Sequence, residues 1–196
     1  MTLSQALVPS QSLVARTLMV LGGTALIALA AQITVPMLPV PMTLQTLAIL
    51  VVGLSFGARM GALTLIAYLA EGAMGLPVFA QAKNGIAFAG PTAGFLIGFV
   101  AMAWLAGFAA DRGVRGFVPT VLVALAASAL IYVPGIAWAM SLADLAGLDT
   151  AKWGADSFGS IWTYYMAPFL AGDAVKAVLA ALIVAGGWAA VRSRKA

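Results

Sequence analysis

Asp173 and Lys176 stand three residues apart in the last long apolar stretch of the chain, within Gly172-Asp173-Ala174-Val175-Lys176. On a helix that spacing puts both on one face, about 4.5 Å apart along the axis. An ionisable group inside a membrane-spanning segment is costly unless it is paired or faces a protein interior, and it marks a functional position. Two chemistries fit the pair. It is either a structural ion pair whose charges neutralise each other, or an acceptor beside a donor facing a cavity, suited to a neutral polar group carrying both N–H and C=O. A metal cation would ask for several carboxylates instead. Glu71 is the third intramembrane charge, in the outer half of the third apolar stretch, either a buried hydrogen-bonded acid or part of a site.

Further candidates lie in the segments that would border such a site. Residues 75–94 form a loop dense in Gly and Pro, with Lys83 as its cation and Gln81 and Asn84 as its amides. Glycines let backbone approach a ligand, and exposed N–H groups together with Lys83 and Asn84 suit an anionic or polar group. Gln45 follows Pro41-Met42-Thr43-Leu44 and brings another amide to the same outer face. Between the fifth and sixth apolar stretches, Asp144, Asp149, Lys152 and Asp156 are interleaved with Trp153, Phe158, Trp162, Tyr164 and Tyr165. Those rings are either an interfacial belt or a lid, and in a lid Tyr164 is a candidate contact.

The elements that must position these residues are membrane helices. The 196 residues are 63% hydrophobic and 8% charged, with a mean hydropathy of +1.07, far more apolar than a soluble domain. Crossing an apolar core of ~30 Å takes about 20 residues, and runs near residues 13–35, 43–57, 60–76, 92–110, 117–143 and 165–191 give six helices in one transmembrane domain spanning 1–196. The second and third are separated by a breaker and a charge, Gly57 and Arg59. The Pro-rich stretch from Thr34 to Pro41 cannot continue a helix and reads as a stiff loop. Arg16, an apolar run and Ala28-Leu29-Ala30 also fit a signal peptide, but the run continues through Ile33 and the rest of the chain is equally membranous.

Six helices put Arg16, Arg59, Arg112, Arg115, Arg192, Arg194 and Lys195 on one side and only Lys83 and Lys152 on the other. The positive-inside rule then makes both termini cytoplasmic. This explains the net charge of +4 without nucleic acid, whose recognition needs basic residues clustered on one exposed face. With no Cys and no His, thiol and imidazole catalysis and soft-ligand metal sites are excluded, and no cofactor is expected. The four lysines precede Asn84, Trp153, Ala177 and Ala196, so no P-loop exists and ATP-driven work would fall to a partner. A self-sufficient secondary or proton-coupled carrier of a small carboxylate-bearing solute, with Glu71 and Asp173 relaying protons, is the alternative. A membrane enzyme or assembly factor lacks a recognisable nucleophile and base.

Four motifs in order carry a family resemblance: Pro39-Val40-Pro41-Met42-Thr43-Leu44-Gln45, Gly75-Leu76-Pro77-Val78-Phe79, Gly90-Pro91-Thr92-Ala93-Gly94-Phe95 and Pro168-Phe169-Leu170-Ala171-Gly172-Asp173-Ala174-Val175-Lys176. Together they closely resemble the BioY family, the biotin-specific substrate-binding (S) components of energy-coupling-factor (ECF) transporters. The resemblance implies a six-helix S-component bundle in a prokaryotic plasma membrane that captures biotin from outside. It also implies association with a transmembrane coupling protein and two cytoplasmic ABC ATPases, and closure over the substrate by the loops after helices one and three. Ala171 departs from the family's frequent proline before Gly-Asp. Thr24-Ala25-Leu26-Ile27-Ala28 is the small-residue equivalent of the family's helix-one docking surface. Biotin's ureido ring would match Asp173 as acceptor with Lys176, Asn84 or Gln45 as donors, Lys83 would meet its carboxylate, and Trp, Phe and Met would line its apolar parts.

Overall fold

The computed structural model describes residues 2–7 and 12–193; Arg194 and Lys195 of the charge count lie outside them. Among the described residues ten α-helical segments follow one another: α1 (Leu3–Leu7), α2 (Leu13–Gln32), α3 (Gln45–Phe56), α4 (Ala58–Ala73), α5 (Ala93–Asp111), α6 (Phe117–Leu130), α7 (Tyr132–Ala137), α8 (Ala143–Leu145), α9 (Phe158–Ile161) and α10 (Ala167–Ser193). π-helical turns at Trp138–Leu142 and Trp162–Met166 join α7 to α8 and α9 to α10. The stretches Phe117–Leu145 and Phe158–Ser193 are thus two long helices with internal bulges. They, α2 and α5 are long and apolar enough to cross a membrane. At 1.5 Å per residue, α3 and α4 reach only about 18 and 24 Å.

The chain between α2 and α3 is more ordered than a stiff loop. Thr34–Val35 (β1) pairs antiparallel with Met42–Thr43 (β2), so the prolines form the tip of a hairpin. The last helical stretch begins at Phe158, seven residues before the sequence-based start near Tyr165, because Ser157 caps it by accepting from the Ser160 N–H. Helix α1, which the hydropathy pattern does not signal, tucks Leu3 against the close-approach position Gly187 of α10.

The bundle is centred on α5, which packs against α3, α4, α6 and α7, while α10 packs against α6 and α3. Helix contact here depends on small residues, as expected where lipid gives no hydrophobic drive. A Cβ on Gly53 would stand 2.6 Å from the Ala103 carbonyl oxygen, and one on Gly61 3.2 Å from Gly53 Cα. Larger apolar side chains such as Leu18, Leu29, Leu122 and Leu182 point outward.

Gly57 separates α3 from α4 with φ +86° and ψ 172°, a conformation essentially restricted to glycine. The start of α4 is capped from a distance: Asp111, the last residue of α5, accepts from the Ala58 N–H at 2.9 Å. The Arg115 guanidinium lies 4.1 Å from the Trp188 ring centroid, near the end of α10. Arg59, Arg112, Arg115 and Arg192 therefore gather at one end of the bundle. Lys83 and Lys152 belong to the loop-covered end, where the hairpin and the segments between α4 and α5 and between α8 and α9 meet.

Candidate functional site

Helix α10 buries one stripe, Asp173, Lys176, Ala177, Ala180, Ala181, Val184, Trp188 and Val191, at the three- and four-residue spacing of a helix face. The two charges therefore point into the bundle. Each is only 6% exposed, with Lys176 Nζ 3.6 Å from Asp173 Oδ1. The other carboxylate oxygen, Oδ2, accepts a 2.6 Å hydrogen bond from the Tyr132 hydroxyl on α7. Both oxygens are thus engaged, one by a cation along the helix and the other by a phenol from a neighbouring one.

Asp173 and Lys176 form part of the wall of a cavity of about 750 Å³, some of it open to solvent. Phe95, Phe99 and Thr92 come from α5 or its N-cap, and Tyr165 and Phe169 from the last helical stretch. Phe95 lies between the two tyrosines, stacked on Tyr165 at 6.5 Å and edge-on to Tyr132 at 6.1 Å. From α3 come Gln45 and Thr46, and the loop-covered end is closed by Val40, Pro41 and Thr43 of the hairpin and by Phe79, Ala80, Lys83 and Ala87. The aromatic wall is Phe and Tyr; neither Trp nor Met takes part, against the expectation from the sequence.

The covering loops are fastened by side chains that bond to backbone. Gln32, the last residue of α2, donates to the Phe79 carbonyl at 3.1 Å and accepts from the Ala82 N–H at 3.0 Å. Between these bonds Gln81 and Ala82 have φ of 61° and 55°, a left-handed pair that non-glycine residues seldom adopt. Trp138 donates to the Gly90 carbonyl at 3.0 Å, and Tyr165 to the Trp153 carbonyl at 2.8 Å. Phe79 is clasped edge-on between Tyr68 and Phe88, both at 5.4 Å.

Of the residues singled out from the sequence, Gln45, Lys83, Asp173 and Lys176 meet at this cavity, and Asn84, Glu71 and Tyr164 are not among its lining residues. Asn84 holds its own loop, donating to the Gly75 carbonyl at 3.4 Å and accepting from the Ile86 N–H at 3.3 Å. Glu71 is half-buried in the last turn of α4. Tyr164 is 49% exposed and borders a separate outer groove with Leu38, Pro39, Pro91, Lys152, Trp153 and Gly154. Nearby, the Ser160 hydroxyl donates to Asp156 and holds its carboxyl below the usual range. Tyr132, Tyr165, Phe95, Phe99 and Thr46 are lining residues that sequence reasoning missed. Tyr165 was within reach of it, but the π turn Trp162–Met166 decides which of two adjacent tyrosines faces inward. Among the described residues no group of His, Cys, Asp or Glu is placed to hold a metal ion.

A membrane helix bundle closed over an aromatic cavity, with a few buried polar groups to orient a guest, defines a small-solute-binding membrane protein. The chain belongs to the BioY family, whose family model matches residues 4–193. It is 38% identical over 160 residues to a biotin transporter BioY of Rhizobium etli, covering 77% of this chain and 79% of that one. Identity to a biotin transporter BioY of Rhodobacter capsulatus is 37% over 163 residues, covering 76% and 81%. The Thermotoga maritima biotin transporter BioY is 35% identical over 161 residues, covering 82% and 88%. In fold, the chain is similar to a crystal structure of the S-component for biotin from an ECF-type ABC transporter, with a TM-score of 0.70 and 23% identity over 93% of this chain and 92% of that one. Membership makes this chain a transport protein and not an enzyme.

Proposed function

We propose that this chain is the biotin-capturing S component of an ECF-type importer. The observation that carries the reading is the single cavity in which Asp173, Lys176, Gln45 and Lys83 interrupt walls otherwise built mainly from Phe, Tyr and aliphatic groups. Biotin has a matching distribution of chemistry: a ureido group with two N–H donors and a C=O acceptor, an apolar bicycle and tail, and a terminal carboxylate. Asp173 serves as acceptor for the ureido end, Lys176 as donor, and Lys83 at the covered mouth meets the carboxylate. The names of the relatives support the substrate. A proton relay through Glu71 and Asp173 gains no support from Glu71's position outside the cavity lining.

The partners in this reading are a transmembrane coupling protein and two cytoplasmic ABC ATPases, since the chain has no P-loop of its own. It crosses a prokaryotic plasma membrane six times, with both termini cytoplasmic; the gathering of Arg59, Arg112, Arg115 and Arg192 at one end supports that orientation. Helices α3 and α4 cross in a locally thinned or loop-supplemented slab, being shorter than the apolar core.

Purified chain alone should bind biotin in preference to lipoate and thiamine. ATP-driven uptake into liposomes should require added coupling protein and ATPases. Concentrative, ATP-driven uptake by this polypeptide alone refutes the assignment, as does equal binding of all three vitamins.

A further inference from the structure

Among the described residues, the first turn of α3 brings to the cavity polar groups whose part in binding the ureido reading leaves open. Gln45 is 3% exposed and donates from Nε2 to the Tyr68 hydroxyl at 2.7 Å. Tyr68, fully buried on α4, donates its single proton onward to the Val78 carbonyl at 2.8 Å. A phenol has one proton to give, so the bond to Val78 obliges Tyr68 to accept from Gln45. The amide nitrogen is thereby fixed towards Tyr68, and Oε1 is left without a hydrogen-bond partner among the described residues, on a side chain that lines the cavity. The backbone N–H of Gln45 is already held by Thr43 Oγ1 at 3.1 Å, which steadies the turn. This reverses the part that the sequence suggests for Gln45, from donor to acceptor.

Beside it, Thr46 also lines the cavity, is 8% exposed, and has an Oγ1 that is buried and unpartnered. That oxygen offers essentially no accessible surface to the cavity, so Thr46 contributes wall and its hydroxyl is not a ligand contact.

Resting on the biotin reading above, we propose that Gln45 Oε1 accepts one ureido N–H while Asp173 accepts the other, and that Tyr68 is the positioning residue that keeps Gln45 in its acceptor orientation. The cavity then selects a ligand with two N–H donors. Because Val78 directly precedes Phe79 of the covering loop, the same relay ties the amide's orientation to the loop's seating.

Two biotin analogues test this, each a cyclic carbamate with oxygen in place of one ureido N–H. Wild type should prefer biotin to either by at least tenfold, since the oxygen presents a lone pair to an acceptor. Gln45→Met should lower biotin affinity about tenfold and bring the biotin-to-carbamate ratio close to one for one isomer only. Asp173→Asn should relax discrimination against the other isomer. Tyr68→Phe keeps the ring and should relax the same ratio as Gln45→Met, which a merely structural role would not move. A folded Gln45→Met or Tyr68→Phe protein with both wild-type ratios overturns the inference while leaving biotin as substrate. Wild type that binds no biotin overturns both.

Discussion

Replacing Asp173 by Asn separates the two meanings of a buried ion pair. Asn keeps an oxygen for the Tyr132 hydroxyl, 2.6 Å from Oδ2, but removes the charge 3.6 Å from Lys176 Nζ. With both residues 6% exposed, water compensates little of the loss. Orphaning one member of a buried pair costs roughly 3–5 kcal/mol, and the long N–O distance argues for the lower end. If the carboxylate also holds the ligand, a charge-assisted hydrogen bond of roughly 1.5–3 kcal/mol goes with it, about a ten- to hundredfold loss of affinity. Thermal unfolding in detergent and equilibrium biotin binding should be measured on Asp173→Asn, Lys176→Met and the double mutant. The double mutant has no orphan charge and should regain most of the stability lost by either single, yet it should still bind biotin at least tenfold more weakly than wild type. A well-folded double mutant with wild-type affinity refutes the binding role and leaves a structural pair.

Orientation is testable on two exposed serines: Ser157→Cys should react with an impermeant reagent on intact cells and Ser193→Cys should not; the opposite pattern means inverted topology. Gln32→Leu removes both bonds that fasten Phe79 and Ala82. At about 1 kcal/mol net per bond, dissociation of bound biotin in a chase experiment should accelerate roughly tenfold or more, and an unchanged off-rate sinks the view of this loop as a fastened cover.

The long apolar runs made the helical membrane architecture readable, since length and hydropathy of such segments depend on local sequence alone. The break at Gly57 was equally legible, because its conformation belongs to the residue itself. At the site, Asp173 and Lys176 stood out because charge in an apolar run has few explanations. What escaped notice depends on relations between distant segments. Asn84 and Gln45 are both amides near the outer face, yet one bonds within its loop and the other meets Tyr68 on a different helix, 23 positions along the chain. Nothing local distinguishes them. Tyr164 and Tyr165 are adjacent within one π-helical turn, and the sequence does not show that Tyr165 lines the cavity while Tyr164 borders the outer groove. Tyr132 lies in an apolar run where a lone phenol reads as ordinary core, and only the folded chain brings it to Asp173.

The hooks that hold the covering loops have a consequence for how this protein can change. Tyr165, Trp138 and Gln32 grip the carbonyls of Trp153, Gly90 and Phe79, groups that every amino acid supplies. As far as these bonds are concerned, the loop positions are free to drift in composition, and the constraint sits wholly on the helix residues that reach them. The covers can thus be rewritten, by selection or by a directed library, to admit a differently shaped guest while their attachment to the scaffold is inherited intact.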